Sequence, residues 1–270
     1  MSDVPRLLLG SLLLRPYVFA LLGLHLAGAS ALLGWRRTVA FTGFTWLVAF
    51  VAEASSIRTG IPFGWYYYLP TTSDRELWIA GVPFFDSISF PFLLVASYGV
   101  AWLLLAGRQN RGSRRESGRW PRPRRLPHLA LATGLFVLAD VIIDPVALRG
   151  DRWFLGQIYG YPDPGIYFGV PLANFLGWAV VGAVAIALYH IWERRLPPVT
   201  EVLFRGRAGL CPGLYFVVLV FNLSITFALK EWWLGLCGVL LALPVTIATL
   251  RACTFSRAVW ATPRREGAAS

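Results

Sequence analysis

The fold is decided by the stretch LALATGLFVLADVIIDPVAL, residues 129–148, in which only two side chains are charged. An α-helix needs about 20 mostly apolar residues to cross the hydrocarbon core of a bilayer. The two charges, Asp140 and Asp144, are four positions apart, so they share one face of such a helix. A carboxylate at the centre of a membrane helix costs roughly 2.5–3.5 kcal/mol on insertion scales and normally faces the bundle interior. The stretch therefore predicts a membrane helix with a polar site on its buried face.

The composition of the whole chain indicates the same class. Of its 270 residues, 56% are hydrophobic and 14% are charged, against about 25% charged in a soluble domain. The mean hydropathy is +0.58. We therefore expect an all-α integral membrane protein, multi-pass in the cell membrane, with residues 1–270 forming a single transmembrane domain.

Seven apolar runs approach the length of a membrane span, which predicts a bundle of about seven transmembrane helices. They are residues 17–34, 39–57, 82–105, 129–148, 168–191, 214–229 and 233–250. A shorter run, 7–14, ends at Arg15 and Pro16. It is expected to be either an interfacial helix or an extension of the first span.

The basic residues predict the orientation. The net charge of +11 comes almost entirely from arginine in the linkers, so it does not indicate nucleic-acid binding. The linkers after the first, third and fifth runs and the C-terminal tail hold 18 of the 25 basic residues. The positive-inside rule then places the N-terminus out and the C-terminus in. Residues 107–128 become a basic cytoplasmic loop and 251–270 a basic tail, either contacting anionic lipid or acting only as topology signals.

The two longest outward linkers, 58–81 and 149–167, are rich in glycine, proline and aromatic residues. Both adjoin apolar runs that contain carboxylates. We expect them to be ordered caps that lie on the same side and jointly roof one cavity.

Glu53 lies near the end of the second run. One interpretation is an ion pair with Arg58 that stabilises the helix terminus. The other is a proton donor or acceptor in a pocket, because burying an unused charge in a membrane is costly. The aromatic residues that follow predict either an interfacial belt or a pocket wall that stabilises positive charge through its ring faces. The candidate wall residues are Phe63, Tyr66 and Tyr68.

We expect Asp140 and Asp144 to lie so close together in a low-dielectric environment that the two carboxyl groups do not both ionise. One of them then keeps its proton, as general acid catalysis requires. The alternative is an ion pair of Asp144 with Arg149 or Arg152. Pro145 disfavours helix at the residue before it, so we expect the span to break at Asp144.

Further polar and aromatic candidates lie at the starts of the third and fifth runs. Asp86 falls in a first helical turn, where the helix dipole favours a carboxylate with or without a functional role. Asn174 and Trp178 share a helix face, and Asn174 is either a site residue or a bond between helices. Tyr167 lies just before this run.

Cysteine and histidine indicate no metal site. The three cysteines show no paired spacing, and the three histidines lie far apart in the sequence without ligand spacing. We expect each histidine to be structural or interfacial.

Together, these segments resemble the CruF-type carotenoid 1,2-hydratases, a membrane family of carotenoid biosynthesis that includes the bisanhydrobacterioruberin hydratases. The resemblance covers roughly residues 40–190 and depends on the order and spacing of its segments. They are Glu53 with 58–68, then 81–83, 140–147 and 167–178.

The resemblance implies an enzyme that adds water across the terminal C=C of an acyclic ψ-end group to give a tertiary hydroxyl. It implies an apolar polyene substrate from the bilayer, with membrane lipids and other carotenoid enzymes as neighbours, and no metal or cofactor. Asp140 or Asp144 would be the acid, with Glu53 and Asn174 holding the water. The substrate contacts would be Phe63, Tyr66, Tyr68, Asp86, Tyr167 and Trp178.

The chemistry of alkene hydration requires the same groups, independently of any resemblance. An unactivated alkene must be protonated on its less substituted carbon, and the tertiary cation must be stabilised and captured by one positioned water. A protonated carboxyl group can supply the proton. Aromatic ring faces or carboxylates can stabilise the cation, and a base can hold the water.

Three other functions fit parts of the pattern. Intramembrane carboxylates also serve small membrane transporters and proton-coupled carriers, although no internal repeat is evident. A retinal protein needs a mid-span lysine, and the sole lysine, Lys230, lies at a run's edge. The third alternative is a structural protein that serves as a scaffold for other pigment enzymes.

Overall fold

The structure, a computed structural model, describes residues 3–109, 120–199, 201–202 and 206–258. Within these ranges the chain forms eight α-helices. They are α1 (Val4–Leu14), α2 (Pro16–Leu33), α3 (Trp35–Thr59), α4 (Phe84–Gln109), α5 (Arg125–Ala147), α6 (Leu172–Glu193), α7 (Leu210–Ala228) and α8 (Trp232–Ala258).

Seven of the helices in the described part of the chain, α2 to α8, are long and apolar enough to cross a membrane. This confirms the predicted all-α class and the number of spans. The orientation of the termini and the division into domains stay predictions. Much of the predicted basic loop (110–119) and of the basic tail (259–270) lies outside the described residues.

Helix ends differ from prediction where glycine or proline controls the backbone. The fifth span begins at Leu172, later than expected, because Phe168 and Gly169 have φ angles of 50° and 95° and Pro171 is extended. The predicted break at Asp144 is wrong, since α5 continues to Ala147. Pro145 lies in the last turn, where its missing N–H removes one bond, and the amide of Leu148 still donates to the Asp144 carbonyl over 3.0 Å.

Helix α4 lies at the centre of the bundle, packed against α2, α3, α5, α7 and α8. Its side chains Leu94, Tyr98 and Trp102 are fully buried. Lipid is as apolar as leucine, so close packing rather than exclusion of water stabilises such contacts. Gly182 of α6 illustrates this, because a Cβ there would lie 3.0 Å from the ring of Phe136.

The two outward linkers are ordered and joined to each other, which confirms the predicted cap. Strand β1 (Tyr67–Tyr68) pairs antiparallel with a strand of the second linker, Tyr159–Gly160. In the first linker, β2 (Trp78–Ile79) pairs with β3 (Val82–Pro83), so Pro83 directly precedes α4 instead of lying inside it. We call residues 60–83 and 148–171 the roof. The remaining strands are β4 (Trp120–Pro121), β5 (Tyr159–Gly160) and β6 (Glu201–Val202), and β4 pairs with β6.

Charged side chains fasten the roof to the helices. Arg15, between α1 and α2, lies 3.5 Å from the buried carboxylate of Glu76 and donates to the Leu155 carbonyl over 2.7 Å. The run at the N-terminus is thus a separate helix that ends at Arg15. At the other edge of the roof, Arg149 and Arg152 pair with Glu231 at 3.0 and 2.5 Å.

The opposite end of the bundle is closed by a second buried cluster. Glu193 accepts hydrogen bonds from Arg122, from Arg37 at 3.2 Å and from the hydroxyl of Tyr189 at 3.1 Å. These bonds connect α3, α6 and the segment before α5. Every charge in the cluster therefore has a partner.

Candidate active site

One cavity of about 390 Å³ lies between the roof and the adjoining ends of α2 to α7. Its wall is mainly apolar but contains four carboxyl groups and two side-chain amides. They are Glu53, Asp86, Asp140, Asp144, Asn174 and Asn222. The structure thus brings together all of the carboxylates that the sequence singled out, from three different helices.

The predicted wall residues Phe63, Tyr66, Tyr68 and Trp178 also line this cavity. Tyr167 is not part of this wall, and its role stays a prediction. Its ring packs 5.7 Å from that of Phe175, and its hydroxyl is buried without a hydrogen-bond partner among the described residues.

The first polar centre joins α3 to α4 through the roof. The hydroxyl oxygen of Tyr68 lies 2.8 Å from Glu53 Oε1 and 2.7 Å from Asp86 Oδ2. The hydroxyl of Ser87 donates to Glu53 Oε2. Arg58 takes no part in the centre, because its guanidinium donates to the carbonyls of Ala54 and Ala80 at 2.6 and 2.7 Å. The alternative of a Glu53–Arg58 ion pair is therefore wrong.

The geometry of this centre suits a shared proton. A phenol has one O–H, so Tyr68 can donate to only one of the two carboxyl groups. For the second short contact to be a hydrogen bond, the other carboxyl must be protonated and donate to the phenol oxygen. Both contacts are therefore hydrogen bonds when the pair of Glu53 and Asp86 holds one proton. Asp86 also lies in the first turn of α4, as predicted.

The second centre lies on α5 and α6. The amide nitrogen of Asn174 donates to Asp140 Oδ2 over 2.8 Å and to Asp144 Oδ2 over 3.1 Å. The hydroxyls of Tyr159 and Tyr161 also donate to Asp144. Arg149 and Arg152 pair with Glu231 instead, so the predicted alternative of an Asp144–arginine pair is wrong. The prediction that the two aspartates share one face is confirmed.

The two aspartates of this centre are not equivalent. Asp144 accepts three hydrogen bonds, which stabilise a carboxylate anion. Asp140 accepts one, and its other oxygen has no hydrogen-bond donor within the described part of the chain. Asp140 is therefore the member of the pair that is better suited to hold a proton and present it to the cavity.

The tyrosines of the roof supply donors that stay protonated. Burial raises the pKa of Tyr68, Tyr159 and Tyr161 above its ordinary value, and the neighbouring carboxyl groups raise it further. Tyr66 lies between the two centres, with its ring 5.3 Å from that of Tyr68 and 6.5 Å from that of Tyr161. The roof thus places one phenol between two carboxyl groups and two phenols on a third.

Aromatic rings form the base of the cavity. Trp178 stacks on Phe90 at 4.4 Å with an angle of 18° between the planes, and Phe136 packs 4.5 Å from Trp178. Phe63 lies 6.1 Å from Phe90. Such ring faces attract cations, so the cavity has a flat, apolar floor that also tolerates positive charge.

Comparison with known proteins identifies the family. The family described as "Carotenoid biosynthesis protein" matches residues 7–245, which is most of the chain. The chain belongs to this carotenoid biosynthesis family. It is also 28% identical over 163 residues to the bisanhydrobacterioruberin hydratase of Haloarcula japonica, covering 60% of this chain and 48% of the relative. The chain thus spans about half the length of this curated relative. No solved structure matches the chain.

The family resemblance read from the sequence is confirmed, and membership together with the seven apolar helices identifies a multi-pass membrane protein. The residues that the family description matches, 7–245, include both polar centres and the roof. Within the described residues, no three side chains of His, Cys, Asp or Glu are arranged to hold a metal ion.

The sequence predictions missed Ser87, Tyr159 and Tyr161 in this member of the carotenoid biosynthesis family. Tyr159 and Tyr161 are two positions apart at a strand, where alternate side chains point the same way. Tyr66 and Tyr68 have the same spacing on the paired strand's side. The matching spacing of tyrosines in the two linkers is the sequence signal that indicates this pairing of strands.

Proposed function

We propose that this protein hydrates a carotenoid, adding water across the terminal C=C of an acyclic ψ-end group by acid catalysis to give a tertiary hydroxyl. The observation that carries the proposal is the pairing of two unlike carboxyl centres across one apolar cavity. One centre offers a carboxyl with an unpaired oxygen, and the other connects two carboxyl groups through one phenol, an arrangement that suits a shared proton. Acid-catalysed hydration needs both an acid and a base of this kind.

In the first step, Asp140 protonates the less substituted alkene carbon. The π electrons form the new C–H bond, Asp140 becomes a carboxylate, and the positive charge lies on the tertiary carbon. The ring of Trp178 and the anion of Asp144 stabilise this cation, because charge is best stabilised by groups that are already oriented in a dry site.

In the second step, water attacks the tertiary cation and loses a proton. The proton goes to the carboxylate of the Glu53–Asp86 pair, which the Tyr68 hydroxyl connects. Returning one proton from this pair to Asp140 restores the starting state. Every proton is thus accounted for by side chains of this chain, so the proposed reaction uses no metal and no redox cofactor.

Two comparisons support the proposal. The family is one of carotenoid biosynthesis, and the relative from Haloarcula japonica is named as a hydratase. The substrate is proposed to be a polyene drawn from the bilayer of the cell membrane. Association with other carotenoid enzymes is part of the same proposal.

The test is expression in a lycopene-producing host, followed by mass spectrometry of the pigments with and without this chain. The expected product carries the mass of one added water for each end group that reacts. Asp140→Asn, Asp144→Asn and Glu53→Gln are each expected to lower product formation by about 10²-fold or more, the usual contribution of a general acid or base. Asp151→Asn, an exposed carboxylate of the roof, is the control and is expected to behave as wild type. Full product from all three amide variants would remove acid catalysis from the proposal.

A further inference from the structure

The cavity also shows where its substrate would pass. We infer that a linear hydrocarbon chain enters the cavity sideways from the lipid, through a mouth between α2 and α7. We further infer that the rest of the chain stays in this mouth while its end reacts. The inference deepens the proposed function and rests on it for the identity of the chain as a carotenoid.

Helices α2 and α7 pack closely at the end that lies away from the roof. A Cβ on Gly28 of α2 would lie 3.0 Å from the Cβ of Leu210 and 3.1 Å from the amide nitrogen of Cys211 on α7. Near the roof, by contrast, both helices line the cavity. Ala20 and Leu21 do so from α2, and Val217 and Phe221 from α7. Between the Gly28 contact and the roof, side chains of both helices therefore border the cavity.

The residues of this gap face both the cavity and the outside. Val217 is 56% exposed and Phe221 is 43% exposed, yet both line the cavity. Ala20 is exposed as well. Of the residues that form the cavity wall, these three alone are exposed, so we place the opening of the cavity here. Since these side chains are apolar and lie on membrane-spanning helices, the opening faces lipid.

An aromatic bridge covers the upper edge of the mouth. Phe154 of the roof packs 5.6 Å from the ring of Tyr17 on α2 and 6.2 Å from that of Phe221 on α7. Trp153 also lies 6.3 Å from Phe221. The bridge joins the two helices between the mouth and the rest of the roof.

The size of the cavity limits how much of a polyene it can hold. A volume of about 390 Å³ lies near the lower end of the range for sites that hold a single drug-sized ligand, about 300–1,000 Å³. A conjugated chain is too stiff to coil inside it. One end group fits beside the carboxyl centres, and the remainder must extend outward. The mouth between α2 and α7 provides an apolar path for that remainder.

The experiment narrows the mouth from each helix separately, with Ala20→Trp and Val217→Trp, and with the smaller Ala20→Leu in case a tryptophan prevents folding. Val180→Trp and Val184→Trp are the matched controls, because these valines are 40% and 42% exposed on α6 and lie outside the cavity wall. The first readout is quenching of a fluorescent linear polyene fatty acid by the purified protein in detergent. The second is kcat/KM for hydration.

We expect each mouth variant to weaken polyene binding and to lower kcat/KM by about tenfold or more, a loss typical of steric exclusion from a pocket. The α6 controls should stay near wild type, and all variants should keep the wild-type unfolding temperature. Equal effects from mouth and control variants, or wild-type binding in folded mouth variants, would overturn the inference. Mouth-dependent binding without any hydration by the wild type would instead refute the proposed function and leave the mouth intact.

Discussion

Removing one hydroxyl group, with Tyr68→Phe, is expected to disable the first polar centre while leaving its ring in place. The hydroxyl makes two contacts of 2.8 and 2.7 Å to carboxyl groups that are both buried or nearly so. Hydrogen bonds to charged groups contribute about 1.5–3 kcal/mol each. The variant should therefore lose about 3 kcal/mol of unfolding free energy, the low end for two bonds, because water from the cavity can replace part of the interaction. The shared proton loses its bridge, so kcat should fall by about 10²-fold.

The neighbouring Tyr66→Phe is the matched control. Its hydroxyl lies 3.5 Å from the Glu53 carbonyl and 3.5 Å from the Tyr68 hydroxyl, at the limit of hydrogen bonding. Both tyrosines line the same cavity, and both variants remove a single oxygen atom. We expect Tyr66→Phe to keep its activity within about threefold and to lose less than about 1 kcal/mol.

The assay is hydration by the purified variants, followed by mass spectrometry of the product across a range of pH, with thermal unfolding in the same detergent. Loss of the proton-sharing bridge should also change the shape of the pH profile for Tyr68→Phe but not for Tyr66→Phe. If the two variants show the same activity and the same pH profile, then the Glu53–Asp86 pair does not act through a shared proton.

Two further predictions concern stability. Gly177→Ala places a Cβ 2.2 Å from the ring of Phe63 and is expected to destabilise the protein by about 1–3 kcal/mol. As a control, the Cβ of Gly134→Ala meets no atom within 4 Å, so this variant should be neutral or stabilising. Thermal unfolding of both variants measures the difference. Hydrogen bonds from Arg149 and Arg152 lower the pKa of Glu231. The ionised Glu231 therefore stabilises the fold above the unfolded-state pKa of about 4.3. This contribution is lost as the pH falls through the lower pKa of the folded state. Glu231→Gln should thus be less stable than wild type at pH 7, by less than about 1 kcal/mol for so exposed a pair. The difference in unfolding temperature should shrink as the pH falls below about 4.3; a constant difference would contradict this account.

Local spacing was enough to predict much of the site. Asp140 and Asp144 are one helical turn apart, so their common face follows from the sequence alone. The linkers after Glu53 and after Asp144 carry the turn and aromatic residues of an ordered cap, and the structure has one. In each case the interacting groups are near in sequence or share a helix.

Contacts between distant segments were not predictable in this way. Tyr161 reaches Asp144 because the two linkers pair as strands, which the sequence of either linker alone does not state. Arg58 prefers the carbonyl of Ala80, brought close by the turn that ends at α4. These contacts arise where a turn brings together groups that are far apart in the sequence.

The two ends of the bundle differ in a way that bears on the rival function of a proton-coupled carrier. A carrier exposes its site alternately to both sides of the membrane. Here the carboxyl groups lie under the roof, and the stacked rings of Phe90 and Trp178 lie beneath them. At the far end, Glu193 is held by Arg37 and Arg122 in buried ion pairs. Removing one partner from such a pair costs about 3–5 kcal/mol. Opening that end would separate both pairs at once, so the architecture favours a site that is reached from the roof half of the bundle and not from the far end.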